Sequence, residues 1–483
     1  MKLGPNIHRP ICVYFLIMGI FVLSAIAALR IPFLSNVLIG EEGSFAYLVL
    51  DPLPVVRGLD AIVVGRIDGI DRLIFPEHSI IMYKLLDTVG RQIGRLLPIC
   101  QNASMDCTTI RARSPFLVLF LCGIAIAMLA TRRMLAFGRP RTFAIQLMAL
   151  FYIASAPLLV AGSIQPQIDG ALGVVILATS AAFILAFRSD RDATHPIFLF
   201  LSGLTSAFGK DEWVLGLSGT LFTVSALAIC FSFNPKSRRW NFVAAGMTLK
   251  ICFFVFSGVI VGQFLIYSYS PGSYLAGLGV MSRIDAMKLS TLDQIRRTWI
   301  LSYPVFLACG LALALIALKL KRYSLCRPTV IIIAGWAAVI TIGYAYSGFS
   351  GDGLPRYYCP AAILAAIALI CIFRELALRQ AGFVAAVLVL GTGIGFNLTS
   401  LLRSYERGVA IASSPGTSLE RVKNRYVALA KAYRGNPILE WSPIGVYFRN
   451  VDWISSDLGE KGAALFLRQL RPEKSTEFQK LPE

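Results

Sequence analysis

Two adjacent carboxylates, Glu41 and Glu42, stand in "NVLIGEEGSFAYLVL", just beyond a long apolar run. A carboxylate can take a proton from a hydroxyl or help hold a cation. Other short polar stretches carry further reactive types. Glu77 and His78 open "EHSIIMYKLL", and imidazole with carboxylates suits a divalent ion such as zinc or manganese, with Glu42 as a third ligand. Asp169 closes the polar run of "GSIQPQIDG". Lys210 leads "KDEW", and Arg356 and Tyr357 sit in "GDGLPRYYCP". Arg meets a phosphate through two parallel bonds and Lys meets it as a point charge, but both also anchor helix ends to anionic headgroups. Cys100 and Cys107 share the polar segment "PICQNASMDCTT", where a location outside the cytoplasm would join them in a disulfide.

What must position these groups is a membrane domain. Of 483 residues, 56% are hydrophobic and only 15% charged, with a mean hydropathy of +0.68. That balance leaves too little polar surface to cover a water-soluble protein of this length. The net charge of +19 does not point to nucleic acid, because the basic residues punctuate apolar runs instead of forming a stripe. Apolar runs predict about eleven spanning helices by the roughly 20-residue criterion. They lie near 11–30, 115–131, 142–161, 170–187, 196–209, 213–232, 249–268, 301–318, 328–346, 358–373 and 380–400. The first run is long enough to span and is followed by many others, so it is expected to stay in place as a helix and not to be removed as a leader.

With the N-terminus in the cytoplasm, the inner short connections hold seventeen Lys and Arg, among them Arg132, Arg133, Arg139, Arg141, Lys319 and Lys321. The outer short connections hold six: Lys210, Arg283, Lys288, Arg296, Arg297 and Arg356. This positive-inside bias places the 31–114 loop and the tail from about 404 outside. In the loop, Ile80, Ile81, Leu85, Leu86, Val89 and Ile93 recur at helical spacing, which predicts an amphipathic helix lying on the membrane surface. The tail 404–483 mixes charged and aromatic residues and reads as a small extracytoplasmic domain, with 1–403 forming the transmembrane domain.

The middles of the predicted spans are poor in ionisable groups; Lys250 near an inner boundary, Gln146 and Asn397 are the polar residues that stand out. Ion-coupled transporters place acids, histidines or broken helices near the midplane. Here the polar residues gather at one set of helix ends instead.

In order and spacing over about residues 10–400, the chain resembles the GT-C membrane glycosyltransferases, in particular the group of the lipid A aminoarabinose transferase and the protein O-mannosyltransferases (family 39-like). The resemblance rests on "EEGSFAYLVL", "EHSIIMYKLL", "RARSPFLVLFLCG", "SAFGKDEWVLGL" and "LPRYYCPAAILAAIAL". It departs from that pattern where Glu41 stands for the family's first Asp and where the paired prolines after His78 are missing. The resemblance implies a bacterial inner-membrane enzyme with its active site and C-terminus in the periplasm. It implies transfer of a sugar from a polyprenyl-phosphate donor to a hydroxyl of lipid A, another glycolipid, a polysaccharide or a protein. Glu41 is then the expected base, Glu42 the group that positions acceptor or cation, and Lys210 and Arg356 the phosphate ligands. Asp169, Glu77, His78 and Tyr357 are expected on the substrate. A flippase or transporter of lipid-linked glycans and an O-antigen ligase or polymerase type of enzyme are the competing readings.

Overall fold

The computed structural model describes residues 5–34, 105–132, 139–164, 168–186, 195–209, 211–234, 239–240, 242–269, 328–347, 358–375 and 380–413, with isolated positions at 89, 90, 92, 93, 135 and 310. Twelve helices fill almost all of it. They are α1 (Pro5–Ala28), α2 (Ile31–Leu34), α3 (Met105–Thr131), α4 (Pro140–Ala154), α5 (Pro157–Ile164), α6 (Ile168–Ala186), α7 (His195–Ala207), α8 (Asp211–Ser232), α9 (Phe242–Tyr269), α10 (Pro328–Ser347), α11 (Tyr358–Glu375) and α12 (Gln380–Ser413). A two-residue antiparallel pair, β1 (Phe233–Asn234) with β2 (Arg239–Trp240), joins α8 to α9. Among the described residues, four helices are long and apolar enough to cross a membrane, within α3, α8, α9 and α12. Large apolar side chains point outward from them, including Phe222, Phe253, Phe264 and Leu388, as hydrocarbon surroundings permit.

The apolar runs become helices because, without water, backbone N–H and C=O groups must bond within the segment. Ten of the predicted spans fall on described helices, while 301–318 lies outside the described residues apart from one position. Two predictions need correction. The run 142–161 is not one helix. Pro157 has no N–H to continue the ladder, so α4 stops at Ala154, with Ser155 N–H on the Phe151 carbonyl at 2.8 Å and Ala156 N–H on Ile153 at 3.1 Å. The last helix also runs further than 400, to Ser413, and Tyr405 packs edge-on against Phe33 with ring centroids 6.1 Å apart. It therefore continues through the expected start of the C-terminal domain at 404; the rest of that domain lies outside the described residues. Of the expected surface helix, positions 89, 90, 92 and 93 are helical and the remainder lies outside the described residues.

From Tyr358 to Phe373 every residue of α11 is buried, so this helix is the axis of the bundle, with α4, α6 and α10 packed around it. Its many alanines, such as Ala361, Ala365 and Ala368, keep it thin enough to be surrounded. Helices α7 and α9 run side by side in the same direction. A Cβ on Gly203 would land on the Val255 carbonyl oxygen, and one on Gly258 would land on that of Phe200. Small residues allow such backbone contact in membranes, where dispersion and close fit replace the hydrophobic drive.

Asn397 of α12 repairs the break between α4 and α5. Its Nδ2 donates to the Tyr152 carbonyl at 2.9 Å and to Ser155 Oγ at 3.1 Å. Full burial also removes this residue as a glycan acceptor despite its "NLT" context. Replacing it with Leu is expected to lower stability by about 1–3 kcal/mol, the size of two lost buried hydrogen bonds. Thermal unfolding in detergent would measure this, and an unchanged midpoint would mean that the break needs no cap from α12.

Candidate functional site

At one end of the bundle the described helix termini that border four of the polar connections come together. Trp213, in the first turn of α8 and just after Lys210, donates from Nε1 to Tyr344 Oη at 2.9 Å near the end of α10. Trp336 Nε1 in turn donates to the Trp213 carbonyl at 2.8 Å. Tyr344 meets Tyr358, the first residue of α11, with ring centroids 6.0 Å apart. Gly173, in the second turn of α6, sits against Trp213 and Pro360 so closely that any Cβ would strike the indole. One aromatic knot thus gathers the flanks of 165–169, 210–212 and 352–357. Both indole N–H groups are bonded, as buried tryptophan requires.

Beside this knot lies Arg30, which follows α1 and leads toward Glu41. It is fully buried. Nε donates to Ser163 Oγ at 2.7 Å near the end of α5, Nη1 to the Ile26 carbonyl at 2.9 Å, and Nη2 to the Ala154 carbonyl at 3.0 Å. The guanidinium also lies over the Phe120 ring, 4.3 Å from its centroid, and within electrostatic range of Cys359 in the first turn of α11. Arg113 of α3 adds a bond from Nη1 to the Phe33 carbonyl at 2.6 Å. The flank of the acidic connection is therefore fixed to the flanks of 165–169 and 352–357.

Sequence reasoning missed Arg30. An arginine closing an apolar run has the signature of an interfacial anchor, and nothing local distinguishes one that turns inward. The polar residues that did stand out take structural positions. Gln146 Nε2 donates to the Ile370 carbonyl at 2.7 Å, Asn397 caps the helix break, and Lys250 is exposed.

Glu41, Glu42, Glu77, His78, Cys100, Lys210, Arg356 and Tyr357 lie outside the described residues. Asp169 falls in the first turn of α6, and Cys107 falls in the first turn of α3. Among the described residues, no three His, Cys, Asp or Glu side chains group as metal ligands. Cys122, Cys230 and Cys252 are free thiols, and Cys359 and Cys371 are buried in α11, in keeping with cysteines used as small apolar residues.

The broken α4–α5 segment frees carbonyls of the kind that can form an ion cage. The Tyr152 and Ala154 carbonyls are instead taken by the amide of Asn397 and the cation of Arg30. A positive charge on the break excludes a coupling cation there, because like charges in low dielectric repel strongly.

Among solved structures, that of ArnT from Cupriavidus metallidurans bound to undecaprenyl phosphate is similar to this chain. The identity is 16%, the match covers 98% of this chain and 81% of that one, and the TM-score is 0.44. No family model matches the chain, and no curated protein matches it.

Proposed function

We propose that the protein is a GT-C-type membrane glycosyltransferase that moves a sugar from a polyprenyl-phosphate donor to an acceptor hydroxyl at the outer face of a bacterial inner membrane. The acceptor class is lipid A, another glycolipid, a polysaccharide or a protein. The observation that carries this reading is the meeting of Arg30, Ser163, Trp213, Tyr344 and Tyr358 at one end of the bundle. It brings together the flanks of the four connections that hold Glu41 and Glu42, Asp169, Lys210, and Arg356 with Tyr357. A lipid-tethered donor presents its phosphate and sugar at that depth, with the chain held in the bilayer.

In this reading Glu41 accepts the proton of the acceptor hydroxyl, and Glu42 orients the acceptor. Lys210 and Arg356 meet the phosphate, where charge develops as the anomeric carbon leaves it. Tyr357 stacks on the sugar or braces Arg356, and Asp169 bonds sugar hydroxyls. Glu77 and His78 border the substrate, and with Glu42 they have the donor types for a divalent ion. Cys100 and Cys107 pair to tie down the first outer loop.

The flippase or transporter reading is weakened by the capped, cationic helix break. The ligase-type reading expects its large outer loop late in the chain, whereas the long loop here is the first. The deciding experiment is mass spectrometry of cell-envelope glycolipids and glycans from a deletion strain and the same strain carrying the wild-type protein. Loss of one sugar in the deletion, restored by the protein, is the expected result, and the mass difference names the sugar. No change, or accumulation of complete lipid-linked glycans on the wrong side of the membrane, would sink the transferase reading.

A further inference from the structure

Lys250 is the one charged residue in the apolar window Gly246–Leu265 of α9, and its side chain is exposed. It does not stand at the helix end. Eight residues separate it from Phe242, the first of α9, a rise of about 12 Å at roughly 1.5 Å per residue. The exposed surface around it is apolar: Met247 and Phe253 flank it, and Ile260, Val261 and Phe264 continue it along the helix. The other side of α9 is taken by its neighbours, with Gly258 against α7 and Cys252 against Ser225 of α8. Lys250 therefore stands on the face that bilayer lipid covers.

A lysine left in hydrocarbon is costly, and the cost falls when its four-carbon stem carries the ammonium to the headgroups. Side chains on a helix lean toward its N-terminus, so Lys250 leans toward the Phe242 end, over the turn that holds Gly246. A Cβ at Gly246 would meet nothing within 4 Å, so that path along the helix is open. No described acid lies beside it. The residues one turn to either side are Gly246, Met247, Phe253 and Phe254, and α7 contains no carboxylate. Helix α8 has its acids, Asp211 and Glu212, at the end away from the β1–β2 connection to α9. That connection places a second basic residue, Arg239, three positions before Phe242 at the same membrane edge.

We propose that Lys250 is a binding site for a phospholipid with a net negative headgroup, drawn from the leaflet at the Phe242 end of α9. The ammonium meets the phosphate, and the acyl chains run past Phe253 and Ile260. A zwitterionic headgroup brings the same phosphate together with its own ammonium, which competes for it, so the net charge of the lipid is what the site reads. This goes beyond the transferase reading and does not depend on it.

The test reconstitutes the purified full-length protein in nanodiscs holding equal amounts of phosphatidylglycerol and phosphatidylcholine, then releases it for native mass spectrometry. The readout is the ratio of the two lipids among those that stay bound. The wild-type protein is expected to favour phosphatidylglycerol. Lys250→Met, which keeps an apolar stem on an exposed position, is expected to lower that ratio about fivefold, the effect of one basic residue at an anionic surface. Lys250→Arg should keep it. Arg132→Gln is the control, because this exposed arginine follows α3 and spans alternate in direction, which puts it on the same side. It should leave the ratio close to the wild-type value. An unchanged ratio in Lys250→Met, an equal fall in Lys250→Arg, or an equal fall in Arg132→Gln would overturn the site, the last by showing that only overall surface charge matters.

Discussion

Glu41→Gln is expected to abolish sugar transfer while the protein stays folded. The amide keeps the size and hydrogen-bonding reach of the side chain but cannot take a proton. Losing a positioned general base costs about 10²- to 10⁴-fold in rate, enough to erase the product in cells. The neighbouring acid should behave differently. Adjacent side chains in any regular element diverge, so both cannot address one hydroxyl. Glu42→Gln is therefore expected to weaken acceptor or cation use and to leave measurable turnover. The assay is the envelope glycan profile of a deletion strain carrying each variant, with elution and unfolding temperature of the purified protein as the check on folding. Full activity in Glu41→Gln would remove that residue as the base and with it the main chemical content of the proposed mechanism.

The second large effect is structural. Gly258→Ala should destabilise the bundle by about 1–3 kcal/mol, and Gly258→Val by more, because the added carbon meets the Phe200 backbone carbonyl and no flexible side-chain end. A backbone group cannot rotate aside, so α7 and α9 must move apart along their shared length. Gly262, one turn further on, meets Ala207 and would lose its fit at the same time. Gly219 of α8 provides the control, since a Cβ there meets nothing within 4 Å. Gly219→Ala should be neutral or stabilise by up to about 1 kcal/mol, through helix propensity alone. If both alanine variants unfold at the wild-type temperature, the α7–α9 crossing is looser than its backbone contacts imply.

The ordering of effects in these experiments separates chemistry from architecture. Glu41→Gln should silence an intact protein, whereas Gly258→Ala should weaken a protein whose chemistry is unaltered. Asn397→Leu belongs with the architectural set, since its bonds end on the α4–α5 break.

The sequence by itself determined where most of the described apolar helices lie. A run of apolar residues about 20 long partitions into hydrocarbon whatever its neighbours do, and a backbone without water closes its own hydrogen bonds. The predicted 170–187, 213–232 and 328–346 accordingly fall within two residues of α6, α8 and α10 at each end. The break at Pro157 was missed, since 142–161 read as one apolar run, and so was its consequence. The carbonyls it frees are taken by Arg30, 124 residues from Ala154, and by Asn397, 245 residues from Tyr152. Only the tertiary structure decided those pairings, the choice of α11 as the axis, the close approach of α7 to α9, and which helix ends meet. Each depends on packing between segments far apart in the chain, and no local pattern carries it. Arg30 illustrates the division: its position at the end of an apolar run is local and legible, whereas its burial requires Ser163, Phe120 and Ala154 to arrive from three other helices.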